Sequence, residues 1–105
     1  MRILLDECVP RGLKRSFPGH LVLTVPAIGY AGKKNGELLP LISSRFDVLV
    51  TTDVNLQYQQ RLSSYDIAFA LLRAKSNDIE DVRPLVPKLL ARLGELAPGK
   101  LLVID

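Results

Sequence analysis

Acidic side chains recur at three places where an apolar run gives way to a polar one: Asp6-Glu7 after Ile3-Leu4-Leu5, Glu37 beyond the glycines at 29 and 32, and Asp53 after Val48-Leu49-Val50-Thr51. Two bare carboxylates held at 4 Å repel by about 4 kcal/mol at an effective dielectric of 20, so gathering several invites a bound cation or raised pKa values. Their oxygens are hard ligands that suit Mg²⁺ or Mn²⁺. Such an ion polarises a phosphodiester and lowers the pKa of water, which makes phosphodiester hydrolysis the leading chemistry. Each acid also has an ordinary structural use: Asp53 can cap a helix, Glu37 can complement a helix dipole, and Asp6-Glu7 can simply end a strand.

Other residues have weaker claims. Lys33 and Lys34, with Arg11, Arg73 and Lys75 in loops or helix starts expected at the same edge, could track an RNA backbone, or they could be solvated loop residues. Thr51 and Thr52 could both orient waters or phosphate beside Asp53, Thr52 being the first candidate, while Thr51 at a strand end could also simply pack. Glu7 fits an outer-shell or surface role, and Asn77 fits a helix cap before it fits a site residue. Cys8 stands beside two acids and lacks the electropositive surroundings of a reactive thiolate. The single histidine, His20, has no partners in a zinc or triad pattern, and the glycines at 29, 32 and 36 do not follow the first strand as a dinucleotide fingerprint would. No nucleotide cofactor is expected.

These residues need a frame. Five short apolar segments, Ile3 to Leu5, Leu21 to Val25, Val48 to Thr51, Ile67 to Leu71 and Leu101 to Ile104, alternate with polar, helix-like stretches. Four of them are almost continuously apolar, as strands covered on both faces are, so the pattern predicts βαβ units and a doubly wound, mainly parallel sheet of four to five strands in a three-layer α/β/α fold. Pro10 opens a short crossover helix with Leu13 and Phe17 on one face. The next helix is expected from near Glu37, because Pro40 must lie close to its start, with Leu38, Leu41 and Ile42 inward. A short amphipathic helix follows Asp53 through Leu56 and Leu62. After Asn77, a preliminary turn leads to a main helix from near Pro84 that stops at Gly94, its apolar face running from Ile79 to Leu93.

With 105 residues there is room for one domain, spanning 1–105. Hydrophobic residues make up 48% and charged residues 24%, the balance of a folded protein and not of a disordered tail. The longest apolar runs are far short of the roughly 20 residues that a membrane span needs. No membrane association is expected. A start that turns acidic after three apolar residues, together with a lone cysteine, predicts a cytoplasmic protein without disulfides. The net charge of +3 assists an approach to phosphates without specifying one.

Three segments together, Ile3-Leu4-Leu5-Asp6-Glu7 with Val9-Pro10, Gly32 through Glu37-Leu38-Leu39, and Asp47 through Thr51-Thr52-Asp53-Val54-Asn55, resemble small PIN-like domains related to toxin-antitoxin ribonucleases. The resemblance covers nearly the whole chain. It implies a metal-dependent endoribonuclease with RNA as substrate, an antitoxin protein as partner, and Asp6, Glu37 and Asp53 as the acids that bind Mg²⁺ or Mn²⁺, assisted by Asn55. A homodimer is a further expectation. Related chains often carry Asp where this one has Asn55 and before the helix where it has Asn35, and both changes remove negative charge from the expected site. Two other readings stand beside the nuclease: a catalytically silent PIN-like module that binds RNA or protein, and a receiver-like phosphoacceptor domain with Asp53 as the modified residue.

Overall fold

The apolar segments do form strands, and the polar stretches between them cross from one to the next. In a computed structural model, which describes residues 1–59 and 61–105, five strands make one parallel sheet: β1 (Arg2–Leu5), β2 (Leu21–Thr24), β3 (Val48–Thr51), β4 (Ala68–Leu72) and β5 (Leu101–Ile104). Their order across the sheet is β2-β1-β3-β4-β5. Register pairs Ile3 with Val22 on one side and with Val48 on the other, so β1 and β3 lie side by side at the centre. Every residue of β3 and β4 is buried, which is why these segments carry no polar alternation.

Successive side chains of a strand point to opposite faces, and they divide the core accordingly. Ile3, Leu5, Val48, Val50, Ala68 and Ala70 belong to one hydrophobic cluster, whereas Leu4, Leu49 and Phe69 belong to another. The first cluster takes Leu13 and Phe17 from the β1–β2 connection, a 3-10 helix over Arg11–Ser16 and not an α-helix. It also takes Val82 from α2 (Ile79–Val82) and Leu85, Val86 and Leu89 from α3 (Leu85–Leu90). The second cluster holds Leu38, Leu39 and Ile42 of the intervening α1 (Asn35–Ile42), with Leu56 and Leu62 from two 3-10 turns, Val54–Tyr58 and Leu62–Ser64.

Four local expectations are corrected. The α1 helix begins at Asn35, so Pro40 sits inside it, and Leu39 is buried where Leu41 was expected. A single helix after Asp53 is replaced by the two separate 3-10 turns. The main helix ends at Leu90, and Gly94 lies within a further 3-10 turn, Leu93–Glu95. The residue preceding α2 is Asp78, not Asn77, and the hydroxyl of Ser76 ties that turn together by accepting from the Asp78 N–H and donating to Asp81 at 2.6 Å.

The connections carry a further lesson about hand. The β1–β2 and β4–β5 crossovers step in opposite directions across the sheet yet contribute to the same cluster, so they have opposite hands. Crossovers in parallel sheets are right-handed in about 98% of cases, and β4–β5 differs in hand from the other three. Gly99 makes the turn into β5 at φ 76, where a Cβ would stand 2.9 Å from the Ser63 backbone. None of the described helices is long and apolar enough to cross a membrane.

At the opposite edge from the acids, Asp47 joins the starts of β1 and β3. Its carboxylate accepts from the Arg2 N–H at 2.6 Å and from the Arg2 guanidinium at 3.2 Å. The backbone bond, then the side-chain one, hold this carboxyl below the ordinary value of 3.8. A carboxyl depressed on folding contributes stability at neutral pH that is lost as the pH falls through that range. Asp47→Ala is therefore expected to cost about 1 kcal/mol at pH 7, as a partly exposed charged hydrogen bond does. Thermal melts of both chains should converge as the pH is lowered below 3.8; a difference that persists undiminished in acid would rule out this origin.

Candidate functional site

In an open parallel sheet, a crevice forms beyond the carboxyl ends of the strands where neighbouring strands send their chains in opposite directions. Here that point is β1/β3, since the chain leaves β1 for β2 on one side and β3 for β4 on the other. A cleft of about 800 Å³ lies there. It is lined by Asp6, Glu7 and Cys8 after β1, by Thr52 and Asp53 after β3, by Lys33 to Gly36 at the start of α1, and by Asn77 after β4.

A buried threonine joins the Asp6 carboxylate to the backbone of Asp53. Thr51 is fully enclosed and is the one buried polar residue among those described. Its hydroxyl donates to Asp6 Oδ2 at 2.7 Å and accepts from the Asp53 N–H at 3.1 Å. Cys8 Sγ lies 3.4 Å from the same hydroxyl. Asp6 Oδ1 accepts from the Glu7 N–H at 2.8 Å, and Asp53 Oδ1 accepts from the Asn55 N–H at 3.0 Å. Asp53 is thus a helix cap and a cleft residue at once.

The basic side of the cleft is fixed through Glu7. Its Oε1 accepts from the Gly32 N–H at 2.8 Å, which pins the glycine-rich loop against the end of β1. Gly32 itself has φ 82, a conformation that a side chain disfavours. Lys33 follows with its ammonium 5.8 Å from the centre of the Tyr30 ring, and Lys34 is exposed as the residue before α1. Beyond them, the N–H groups of Asn35 and Gly36 belong to the first turn of α1, which has no intrahelical acceptors for them and which favours anions.

Of the remaining sequence candidates, Arg73 and Lys75 are not among the lining residues, and Arg73 pairs with Asp105. Glu37 is exposed on the first turn of α1 and is not among the lining residues, although its neighbours Asn35 and Gly36 are. Asn55 is also exposed and outside the lining. Arg11 lines an adjoining depression of about 370 Å³ together with Asp6 and Glu7. Thr52 lines the main cleft, and its Oγ1 is buried without a hydrogen-bond partner. Two candidates with ordinary structural readings also stand at the cleft: Asn77 is among its lining residues, and Thr51 turns its hydroxyl to the Asp6 carboxylate.

Among the described residues, no group of three or more His, Cys, Asp or Glu side chains is placed to hold a metal ion. Mg²⁺ does not require such a cage, because it keeps several waters and commonly binds through one or two carboxylates plus substrate phosphates. The donors on the cleft wall, Asp6 and Asp53 with the side-chain oxygens of Asn35 and Asn77, are all hard oxygens and fit that mode. Comparison with known proteins adds no relative: no family model, no curated protein and no solved structure matches the chain.

Proposed function

We propose that this chain is a PIN-like, Mg²⁺- or Mn²⁺-dependent endoribonuclease with a three-layer α/β/α fold. The observation that carries the reading is the pair Asp6 and Asp53 on one cleft, linked through the Thr51 hydroxyl, and faced by Lys33 and Lys34. A divalent ion bound by those acids supplies a Lewis acid for the phosphoryl oxygens and lowers the pKa of water. The protein's own part is to hold two carboxylates at the end of the sheet and to orient the substrate. The two lysines and the first-turn N–H groups of α1 receive a phosphate, Asn77 presents a neutral polar group beside it, and Thr52 shapes the wall. Glu37 completes the acid set if its exposed side chain turns toward the cleft when the ion and RNA bind. The same reading extends to an antitoxin partner and to self-association.

The test is direct. The full chain is incubated with an unstructured RNA in Mg²⁺ or Mn²⁺, and in excess chelator. Cleavage with either ion and none with chelator is the expected result; chelator-resistant cleavage, or intact RNA at saturating metal, counts against it. A second reading, a silent PIN-like module that binds RNA or protein, rests on Asn35 and Asn55, which are neutral where the resemblance leads one to expect Asp. It predicts retention of RNA without cleavage.

A further inference from the structure

A second depression, of about 300 Å³, opens beside the acid cleft and shares Asn35, Gly36 and Gln59 with it. Its character differs. Leu39 and Leu62 contribute buried apolar surface, Tyr65 is half-buried, and Arg61 is exposed at the same depression. Among the described residues, no carboxylate lines it. A volume at the lower end of ligand pockets, apolar surface, one aromatic ring and two amide side chains at the edge shared with the acid cleft are the features that a flat, hydrogen-bonding ligand needs.

We propose that this depression is a nucleobase subsite, occupied by the base next to the phosphate held in the acid cleft. The inference rests on the nuclease reading for the position of that phosphate. Tyr65 offers its ring for stacking, the amides of Asn35 and Gln59 offer donors and acceptors to a base edge, and Arg61 neutralises the backbone beyond. A base can enter such a pocket only when it is unstacked, so the substrate is single-stranded RNA, and a duplex is excluded because its bases are paired and stacked. Tyr65, unlike the acids, has a role in affinity and not in the chemical step.

The experiment measures binding without metal, so that no cleavage is needed to read it. The full chain and its Tyr65→Phe and Tyr65→Leu variants are titrated against fluorescently labelled single-stranded hexaribonucleotides and a 12-base-pair RNA duplex. Single strands are expected to bind about tenfold more tightly than the duplex, Tyr65→Phe to keep that affinity, and Tyr65→Leu, which retains apolar packing, to lose about tenfold. Equal binding by Tyr65→Leu and the native chain, or equal binding of duplex and single strand, overturns the subsite. Tyr65-dependent binding in a chain that never cleaves RNA upholds the subsite and overturns the nuclease alone. Cleavage with Tyr65-independent binding does the reverse.

Discussion

Asp6→Asn is expected to lower metal-dependent RNA cleavage by about 100-fold or more, because a carboxylate that binds the ion carries several kcal/mol of the charge stabilisation in such a site. Asp6 is also wired into the fold, since its two oxygens accept from the Glu7 N–H and the Thr51 hydroxyl. An asparagine can keep its oxygen on the Glu7 N–H only by turning its amide to the Thr51 hydroxyl, which can accept from it but then loses the acceptor for its own hydrogen. The fold should therefore lose about 1–2 kcal/mol as well, the range for an unmade part-buried hydrogen bond. Activity and stability have to be read together. Asp53→Asn provides the control, because its oxygen can still accept from the Asn55 N–H at the cap, so cleavage should fall with little loss of stability. A chemical melt of each variant beside a single-turnover cleavage rate decides the matter. Native rates in both would remove Asp6 and Asp53 from the chemistry and overturn the assignment of this cleft as the place of cleavage.

How far the sequence could be read follows from what each segment has to satisfy. All five strands were legible to within one residue, because each is an apolar run between polar stretches, and where a strand is buried on both faces, as Val48–Thr51 is, the run is uninterrupted. Helix faces were harder. Leu38, Leu39, Leu41 and Ile42 crowd one turn, and spacing alone accommodates either Leu39 or Leu41 inward; packing on the sheet selected Leu39 and left Leu41 40% exposed. The 3-10 form of the connections was not legible either. Short crossovers such as Arg11–Ser16 show the same apolar spacing over one or two turns whether they wind as α or 3-10.

The candidate site was legible as a place and less so as a set of contacts. Asp6 and Asp53 could be assigned to it because they end β1 and β3, and the topology of a parallel sheet brings those two ends together at the switch point. Glu37 could not be settled this way. It follows a helix start, and the direction of a side chain on a first turn depends on where that helix begins, here at Asn35. The opposite hand of the β4–β5 crossover leaves no signal in the residues at all, yet it bears on the receiver-like alternative. A uniformly right-handed sheet in this order would put α2 and α3 on the face of α1, whereas Val82 and Leu85 pack with Leu13 and Phe17 instead.

Thr51→Val should show how much of the site depends on a hydroxyl and not on an acid. The substitution keeps the branched shape in a position with no solvent exposure, and removes the donor to Asp6 Oδ2 and the acceptor of the Asp53 N–H. Leaving those groups unpaired is expected to cost about 1–3 kcal/mol. Cleavage should fall by about 10- to 100-fold, the usual effect of releasing a carboxylate that a neighbour orients toward a metal. Thr51→Ser separates the two effects. Serine keeps the hydroxyl and gives up one methyl, so it should lose about 1 kcal/mol of stability while cleavage stays within a few-fold of native. If Thr51 acts only by filling space, the order reverses: valine retains activity and serine is the weaker variant. Mg²⁺ titrations add a readout that packing alone would not move, since valine should raise the ion concentration needed for half-maximal cleavage and serine should not. A valine chain that cleaves at the native rate and at the native Mg²⁺ concentration would show that Asp6 is held correctly without its buried donor.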